Sequence, residues 1–294
     1  MELRDIEIFL TLAEELHFGR TAERLHLTQG RVSQSIKKQE RRIGAALFDR
    51  DNRNVALTSI GRQLYEDLRP MYQGLREGVD RATMAAQGKT DILRLGMIAS
   101  NLQPLRPLLD AFEARHPECA VRIRDVHFDD PFGPLRAGDI DVHLLWLPVR
   151  EPDLTVGPVL YTEPLVLALS TAHPLASRTS VSLEDLAGQT VTTGARPDYW
   201  REAVVPARTP SGQSINTGPT VTHYQEMIPI IASGEAMSPV HAQAQRYFPH
   251  PDIAYIPIHD APLARWALVW RTSAETDLIR AFANTAKDAG LSTR

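Results

Sequence analysis

One short run near the start of the chain carries side chains suited to recognising a nucleic acid. Thr28, Gln29, Gly30, Arg31, Ser33 and Gln34 bring hydroxyl, amide and guanidinium groups together, and Lys37, Lys38, Arg41 and Arg42 follow on the same segment. Glutamine can bond adenine in a bidentate way and arginine can bond guanine O6 and N7, whereas lysine offers a point charge to phosphate. Of the four cations, Lys37 and Lys38 are expected at phosphates ahead of Arg41 and Arg42. Residues 18–62 hold ten basic and four acidic side chains, although the 294-residue chain carries a net charge of −4. Such asymmetry suits a small nucleic-acid module on a neutral or acidic body, and it equally suits a solvated helix face. Arg53 could enter a narrow minor groove or stay a free surface side chain; Arg50 could do the same or form a salt bridge.

The elements around these residues decide between the two readings. Apolar Ile6, Phe9, Leu10 and Ala13 predict a helix over 5–15, and a second follows over 19–25 with Ala22 and Leu25 inward. The pattern breaks at His26 and resumes as a helix over 29–43, with Val32, Ile36 and Ile43 inward and Gly44 as a left-handed stop. Two short helices joined by a tight turn form a helix-turn-helix, whose second helix presents its N-terminal residues to base edges in the major groove. Segments 46–50 and 54–57 alternate around Asp51, Asn52 and Arg53 and predict a β-hairpin wing. Thr58 or Ser59 can cap a long helix whose apolar residues Ile60, Leu64, Leu68, Met71, Leu75, Val79, Ala82 and Ala86 step by three or four. That helix would be about 40 Å long, with a narrow seam of the kind that pairs with another helix. Pro70 is expected to kink it, and residues 87–90 form a linker.

Beyond the linker the pattern becomes α/β. Strands over 92–97, 121–126 and 140–145 alternate with helices over 102–115 and 131–137, which implies parallel pairing. Further strands are expected over 165–169, 190–192, 220–222, 253–256 and 266–270, and helices over 183–186, 199–205, 224–233, 241–248 and 274–289. Two α/β lobes fit this order. Ser100 and Asn101 fall where the first strand passes into a helix; they either cap that helix or hold a carboxylate or other anion at its N-terminus. Open α/β sheets take ligands at such strand ends. His143, inside an apolar strand, reads as a core histidine, and Cys119 as buried packing.

Several classes drop out. No apolar run approaches the ~18 residues of a membrane span. The acidic residues near the start do not suit a secretory signal, so a cytoplasmic location is expected. A single cysteine excludes an internal disulfide. No G-x-S-x-G elbow, G-x-G-x-x-G turn or Walker loop is present, and the ten histidines show no H-x-x-x-H spacing. An enzyme and a plain solute-binding protein are therefore the weaker readings.

The stretch Leu3, Phe9, Ala13-Glu14, Phe18, Thr21-Ala22-Glu23-Arg24-Leu25-His26-Leu27-Thr28-Gln29, Val32-Ser33, Ile36, Glu40, Gly44, Leu47-Phe48-Asp49-Arg50, Leu57-Thr58 and Gly61 resembles the LysR-type transcriptional regulators. Arg115-His116-Pro117, Arg136-Ala137-Gly138-Asp139-Ile140-Asp141 and Ala172-His173-Pro174-Leu175-Ala176 are similar to later stretches of that family. The resemblance implies a winged helix-turn-helix over 1–58, a dimerising linker helix over 59–88 and a two-lobed effector domain like the periplasmic binding proteins over 91–294. Lobe I would take about 91–160 and 266–294, and lobe II about 161–265. It further implies sequence-specific binding of double-stranded promoter DNA, homodimers assembling into homotetramers, contact with RNA polymerase, a small-molecule effector between the lobes and no cofactor or metal. An effector-independent regulator with a vestigial cleft is the alternative. By family position, His127, Phe128, Asp129, Trp146, Pro148, Tyr199, His223 and Pro239 would join Ser100 and Asn101 around the effector. Asp129 could instead cap the helix near Pro131, and Trp146 could serve lobe packing. The sequence departs from the family at Gly30 and Arg31 (commonly Pro and Ala), Gln34 (Arg), Ser35 (Gln) and Gln39 (usually apolar), so its base preference should differ.

Overall fold

The computed structural model describes residues 2–50, 55–86, 88–98 and 105–289. The chain divides into two units, Met1–Gln87 and Gly88–Arg294.

The first unit begins with α1 (Leu3–Glu15), α2 (Phe18–Arg24) and α3 (Gln29–Ile43). Ile8, Phe9, Leu10, Leu12 and Ala13 of α1 meet Ala22, Val32 and Ile36 in one core. The inward stripe of α1 thus centres on Ile8 and Leu12, and Ile6 is only half-buried. The turn between α2 and α3 needs a left-handed residue, and His26 supplies it at φ 53°. Ile43, expected inward, is 39% exposed because the last turn of α3 runs past the core. The inward position one turn earlier is Gln39, 2% exposed, whose amide donates to the carbonyl of Asp5 (2.8 Å) and to Ser35 Oγ (3.2 Å). Two strands follow, β1 (Phe48–Arg50) and β2 (Val55–Leu57), antiparallel with Phe48 opposite Leu57. Phe48 packs edge-on against Phe9, and Glu40 Oε1 accepts from the Leu47 amide, so α3 and the hairpin base are tied together.

A 28-residue helix, α4 (Ser59–Ala86), ends the unit and runs through Pro70 without interruption of its helical conformation. Thr58 is its cap: Thr58 Oγ1 accepts from Gly61 N (2.9 Å) and donates to Ala46 O (2.9 Å). Gly61 lets α4 approach the hairpin base, since a Cβ there would lie 2.0 Å from Leu47 O. Leu64 and Leu68 pack on the core, whereas Ile60, Met71, Leu75 and Val79 are exposed.

The second unit holds β3 (Asp91–Met97), α5 (Arg106–Arg115), β4 (Cys119–Asp125), α6 (Gly133–Ala137), β5 (Val142–Trp146) and β6 (Leu154–Glu163). Next come β7 (Leu165–Ser170), β8 (Thr190–Thr193), α7 (Asp198–Arg201), β9 (Asn216–Thr220), α8 (Tyr224–Ala232) and β10 (Ser238–His241). The chain closes with α9 (Ala244–Tyr247), β11 (Ile253–Pro257), β12 (Ala264–Arg271) and α10 (Asp277–Ala289). One sheet has the order β4-β3-β5-β12-β6; its first three strands are parallel and β12 runs antiparallel to both neighbours. The other main sheet, β10-β7-β11, is antiparallel, and β8 pairs parallel with β9. The chain passes from the first sheet to the antiparallel one across Pro164 alone, between β6 and β7, and returns between β11 and β12.

Three expectations change here. The strand expected over 220–222 lies at Asn216–Thr220, and the helix expected over 241–248 is only Ala244–Tyr247, because His241 ends β10. Strands β6 and β10 are additions to the expected set. Gly157 and Pro158 interrupt the apolar pattern of β6, and Ser238 with Pro239 gives β10 the composition of a turn.

Candidate DNA-binding face and effector cavity

Val32, Ile36 and Gln39 fix the buried side of α3, so Gly30, Gln34, Lys37 and Arg41, spaced by three or four, form its outward line. Gln29, Arg31 and Lys38 are exposed on the flanks, and Ser33 is half-buried. Thr28 is exposed but its hydroxyl already works as the helix cap, accepting from Arg31 N at 3.3 Å. Lys38 Nζ lies 3.4 Å from Asp5 Oδ2. Burial alone would raise the Asp5 carboxyl, but hydrogen bonds from Ser35, the Glu2 amide and Lys38 outweigh it and hold the group below its ordinary value. The Arg50 side chain and Arg53 lie outside the described residues, and Arg50 is placed only as a backbone position in β1.

In the second unit, Ser100 and Asn101 also lie outside the described residues. The remaining effector candidates are scattered over several places. Phe128, Trp146 and Pro239 border a cavity of only ≈ 40 Å³. Trp146 is stacked on Trp200 at 3.7 Å, and each indole N–H donates to the other's backbone carbonyl (3.2 and 2.9 Å). His127 and His223 stack at 5.2 Å. Asp129 borders a separate open recess with Arg136, Glu151 and Arg196, and its carboxyl is raised by burial against the pull of His127. The side chain bonded to the start of α6 is that of Asp130, not Asp129: Asp130 Oδ1 accepts from Gly133 N at 2.9 Å. Tyr199 donates to Glu151 Oε1 (2.7 Å) and accepts from Arg150 N (3.1 Å), while Pro148 is half-buried just past β5. His143 is enclosed, bonded through Nδ1 to Pro131 O (2.9 Å), and burial pushes it down to about 3.

A cavity of ≈ 430 Å³ lies elsewhere in this unit, similar in volume to the recess beside Asp129 (≈ 420 Å³), and none of the described candidates lines it. It opens at the carboxyl ends of β3 and β4, beside Met97, Ile98 and Asp125, where open α/β sheets take ligands. Tyr161 and Glu163 reach it from the end of β6, Trp266 from β12, Tyr224 from α8, His241 from β10, and Gln243 and Tyr247 from the following turn and α9. Its volume falls within the range of small-molecule sites. Glu163 is 4% exposed and accepts from Gln243 N at 3.1 Å. Burial pushes its carboxyl up to about 7, against the lowering effect of that amide. His241 meets the Tyr224 hydroxyl through Nδ1 at 3.0 Å, its Nε2 has no hydrogen-bond partner, and burial lowers it to about 3. The sequence held few signals for these residues. Glu163 is one carboxylate in an otherwise largely apolar stretch, and the pairing that gives it a role becomes visible only when β6, β10 and β12 are placed.

A helix-turn-helix with a polar, basic outward face, followed by a two-sheet body with a cavity at its strand ends, can now be compared with known proteins. The family model described as "LysR substrate binding domain" matches residues 86–290, and "Bacterial regulatory helix-turn-helix protein, lysR family" matches residues 3–62. The chain belongs to the LysR family. The HTH-type transcriptional regulator AlsR of Bacillus subtilis (strain 168) is 30% identical over 287 residues, covering 96% of this chain and 94% of that protein. The crystal structure of CbnR, a LysR family transcriptional regulator, superposes with a TM-score of 0.62 at 23% identity, covering 99% of each chain. Full-length CbnR complexed with its target DNA gives a TM-score of 0.53 at 23% identity, with 99% of this chain and 100% of that one covered. This LysR-type regulator is thus a DNA-binding transcriptional regulator with an effector-binding domain, and its curated relatives are regulators rather than enzymes. No helix among the described residues is long and apolar enough to cross a membrane.

Proposed function

We propose that this regulator reads double-stranded promoter DNA with α3 in the major groove and answers to a small molecule held in the ≈ 430 Å³ cavity. Gln29, Gly30, Arg31, Ser33 and Gln34 face base edges with Thr28 at the helix start, Lys37 and Lys38 meet phosphates, and Arg50 and Arg53 of the hairpin reach the adjoining minor groove. Residues 1–58 form the DNA-binding part, 59–88 the linker helix and 91–294 the effector part. The exposed residues Ile60, Met71, Leu75 and Val79 support pairing of α4 with a second copy, because such a stripe on a single chain leaves apolar area in water. Dimers then join into tetramers that contact RNA polymerase in the cytoplasm. Ser100 and Asn101, the effector candidates next to Ile98 in sequence, lie outside the described residues.

The observation that carries this reading is the outward line Gly30, Gln34, Lys37 and Arg41 on a helix whose other side is locked into the core. A formed cavity with buried polar groups facing it favours a working effector site over a vestigial one. The test is footprinting on the promoter beside the regulator's own gene across a salt series, with and without small molecules. Protection of about two to four helical turns that weakens with salt is expected. A folded protein that protects no DNA at low salt, on its own promoter or across a genomic fragment library, refutes it.

A further inference from the structure

Among the described residues, Glu163 is the one buried acidic side chain in the lining of the effector cavity, and no Lys or Arg lines it. Two aromatic stacks stand on opposite sheets: Tyr161 with Trp266 (5.8 Å) on the first, and Tyr224 with Phe248 (5.4 Å) beside the antiparallel one. Ring faces carry partial negative charge and attract cations, most strongly where water is excluded. The Glu163 carboxylate is enclosed, and no basic side chain is in contact with it among the described residues. A buried carboxylate without a counter-ion is unfavourable, and the cavity in front of it is where a counter-ion can enter. A carboxylate or phosphate ligand would meet the Glu163 carboxyl, with no cation in the described lining to hold it.

We propose that the effector is an organic cation, an amine or quaternary ammonium compound with an apolar or aromatic body, and that Glu163 is its counter-ion. This assignment rests on the reading of the cavity as the effector site. It goes against one of the two sequence readings of Ser100 and Asn101, that of an anion held at a helix N-terminus. The body of the ligand lies between the two aromatic stacks.

The test uses the full-length chain and four probes sharing one ring: benzyltrimethylammonium, benzylamine, benzyl alcohol and benzoate. Calorimetric titration and thermal unfolding should show both cations binding and stabilising, benzyl alcohol binding more weakly and benzoate weakest. Glu163→Gln should weaken both cations at least about ten-fold while leaving benzyl alcohol within about two-fold. Tyr247→Leu, at the cavity wall, should weaken benzyltrimethylammonium without reversing the order. Benzoate binding as tightly as the cations, no binding of either cation up to about 10 mM, or equal losses for cation and alcohol in Glu163→Gln each overturns the assignment. Footprinting without any probe separates the two readings. If promoter protection persists and the cation order fails, the ligand class is wrong where a probe still binds and Tyr247→Leu weakens it, and the cavity is not the effector site where no probe binds; if protection is absent, the regulator reading has failed.

Discussion

Replacing Glu163 with glutamine should make the effector-binding unit more stable, and by an amount that grows with pH. The native carboxyl is held near 7 by burial, against 4.5 for the ordinary group. Between those values the folded state keeps a proton that the unfolded state has lost, so stability falls as pH rises through the interval and levels off above 7. At about 1.4 kcal/mol per pH unit, the whole interval is worth about 3 kcal/mol, most of it, about 2–3 kcal/mol, between pH 5 and 8. Glutamine keeps the shape and one acceptor and has no proton to lose, so that penalty vanishes. The groups around Glu163 do not mask the effect: His241 is held down to about 3, and Tyr161 and Tyr224 are raised by burial, so all three stay uncharged over this range. Asp125 is present in both variants. The assay is urea unfolding at pH 5, 6, 7 and 8 followed by tryptophan fluorescence. All four tryptophans, Trp146, Trp200, Trp266 and Trp270, belong to the second unit, so the signal reports it alone. The gain of the variant should be small at pH 5 and displace the midpoint by about 1 M at pH 8. A difference between variants that is the same at pH 5 and pH 8 would refute the buried-carboxylate account.

Other expectations concern the first unit and the tryptophan pair. Gly61→Ala should destabilise the DNA-binding unit by about 1–3 kcal/mol, read from its helical circular-dichroism melt, because α4 must retreat from Leu47 O. Gln39→Leu should be neutral or stabilising by up to about 1 kcal/mol, since it removes an amide whose Oε1 has no partner while Asp5 O remains within a helix; a loss above about 2 kcal/mol would show the amide to be a needed tie. Arg31→Ala should change which bases are preferred in a binding-site selection. Lys37→Ala should weaken all sequences alike and reduce the salt slope by about 1, and equal losses on every sequence for both variants would contradict this division. Trp200→Ala should cost about 3–5 kcal/mol in the second unit, because it opens a fully buried site and removes the indole N–H that donates to Trp146 O; a value under about 1 kcal/mol would mean the stack is dispensable.

The DNA-binding unit was the more legible part because its signals are local. α3 has a cap residue, an apolar line and a glycine stop within sixteen residues of Thr28, and its observed span Gln29–Ile43 agrees with that reading. Periodicity errs where it counts only apolar residues. Hydropathy puts Ile43 inward and leaves Gln39 out, although both lie on the inward arc and hydrogen bonds to Asp5 O and Ser35 let the amide be buried. Capping is ambiguous by one residue at Asp129 and Asp130, since either could reach the start of α6 and only backbone geometry chooses. The cavity proposed for the effector was the least legible. Its polar groups come from β6, β10 and the turn before α9, and two of those elements are short or broken by glycine and proline. No local pattern relates Glu163 to His241, 78 residues apart, because their neighbourhood exists only once both sheets are formed.

The position of Glu163 bears on how a ligand could act as well as on what it is. The chain crosses from one sheet to the other at Pro164, and the turn after β10 is tied there: Ala242 N donates to Pro164 O (3.0 Å) and Gln243 N to Glu163 Oε2 (3.1 Å). A cation paired with Glu163 therefore acts on the joint between the sheets and not on a peripheral side chain. A ligand can shift a conformational equilibrium only by the difference in its affinity for the two states. Relief of the ionisation penalty of about 3 kcal/mol in one state alone corresponds to about a hundred-fold change in DNA affinity. With Glu163→Gln the response to a cationic effector should shrink to whatever the other contacts supply. Titrating promoter affinity against benzyltrimethylammonium in both proteins measures the split directly. An unchanged response in Glu163→Gln would place the coupling outside the joint.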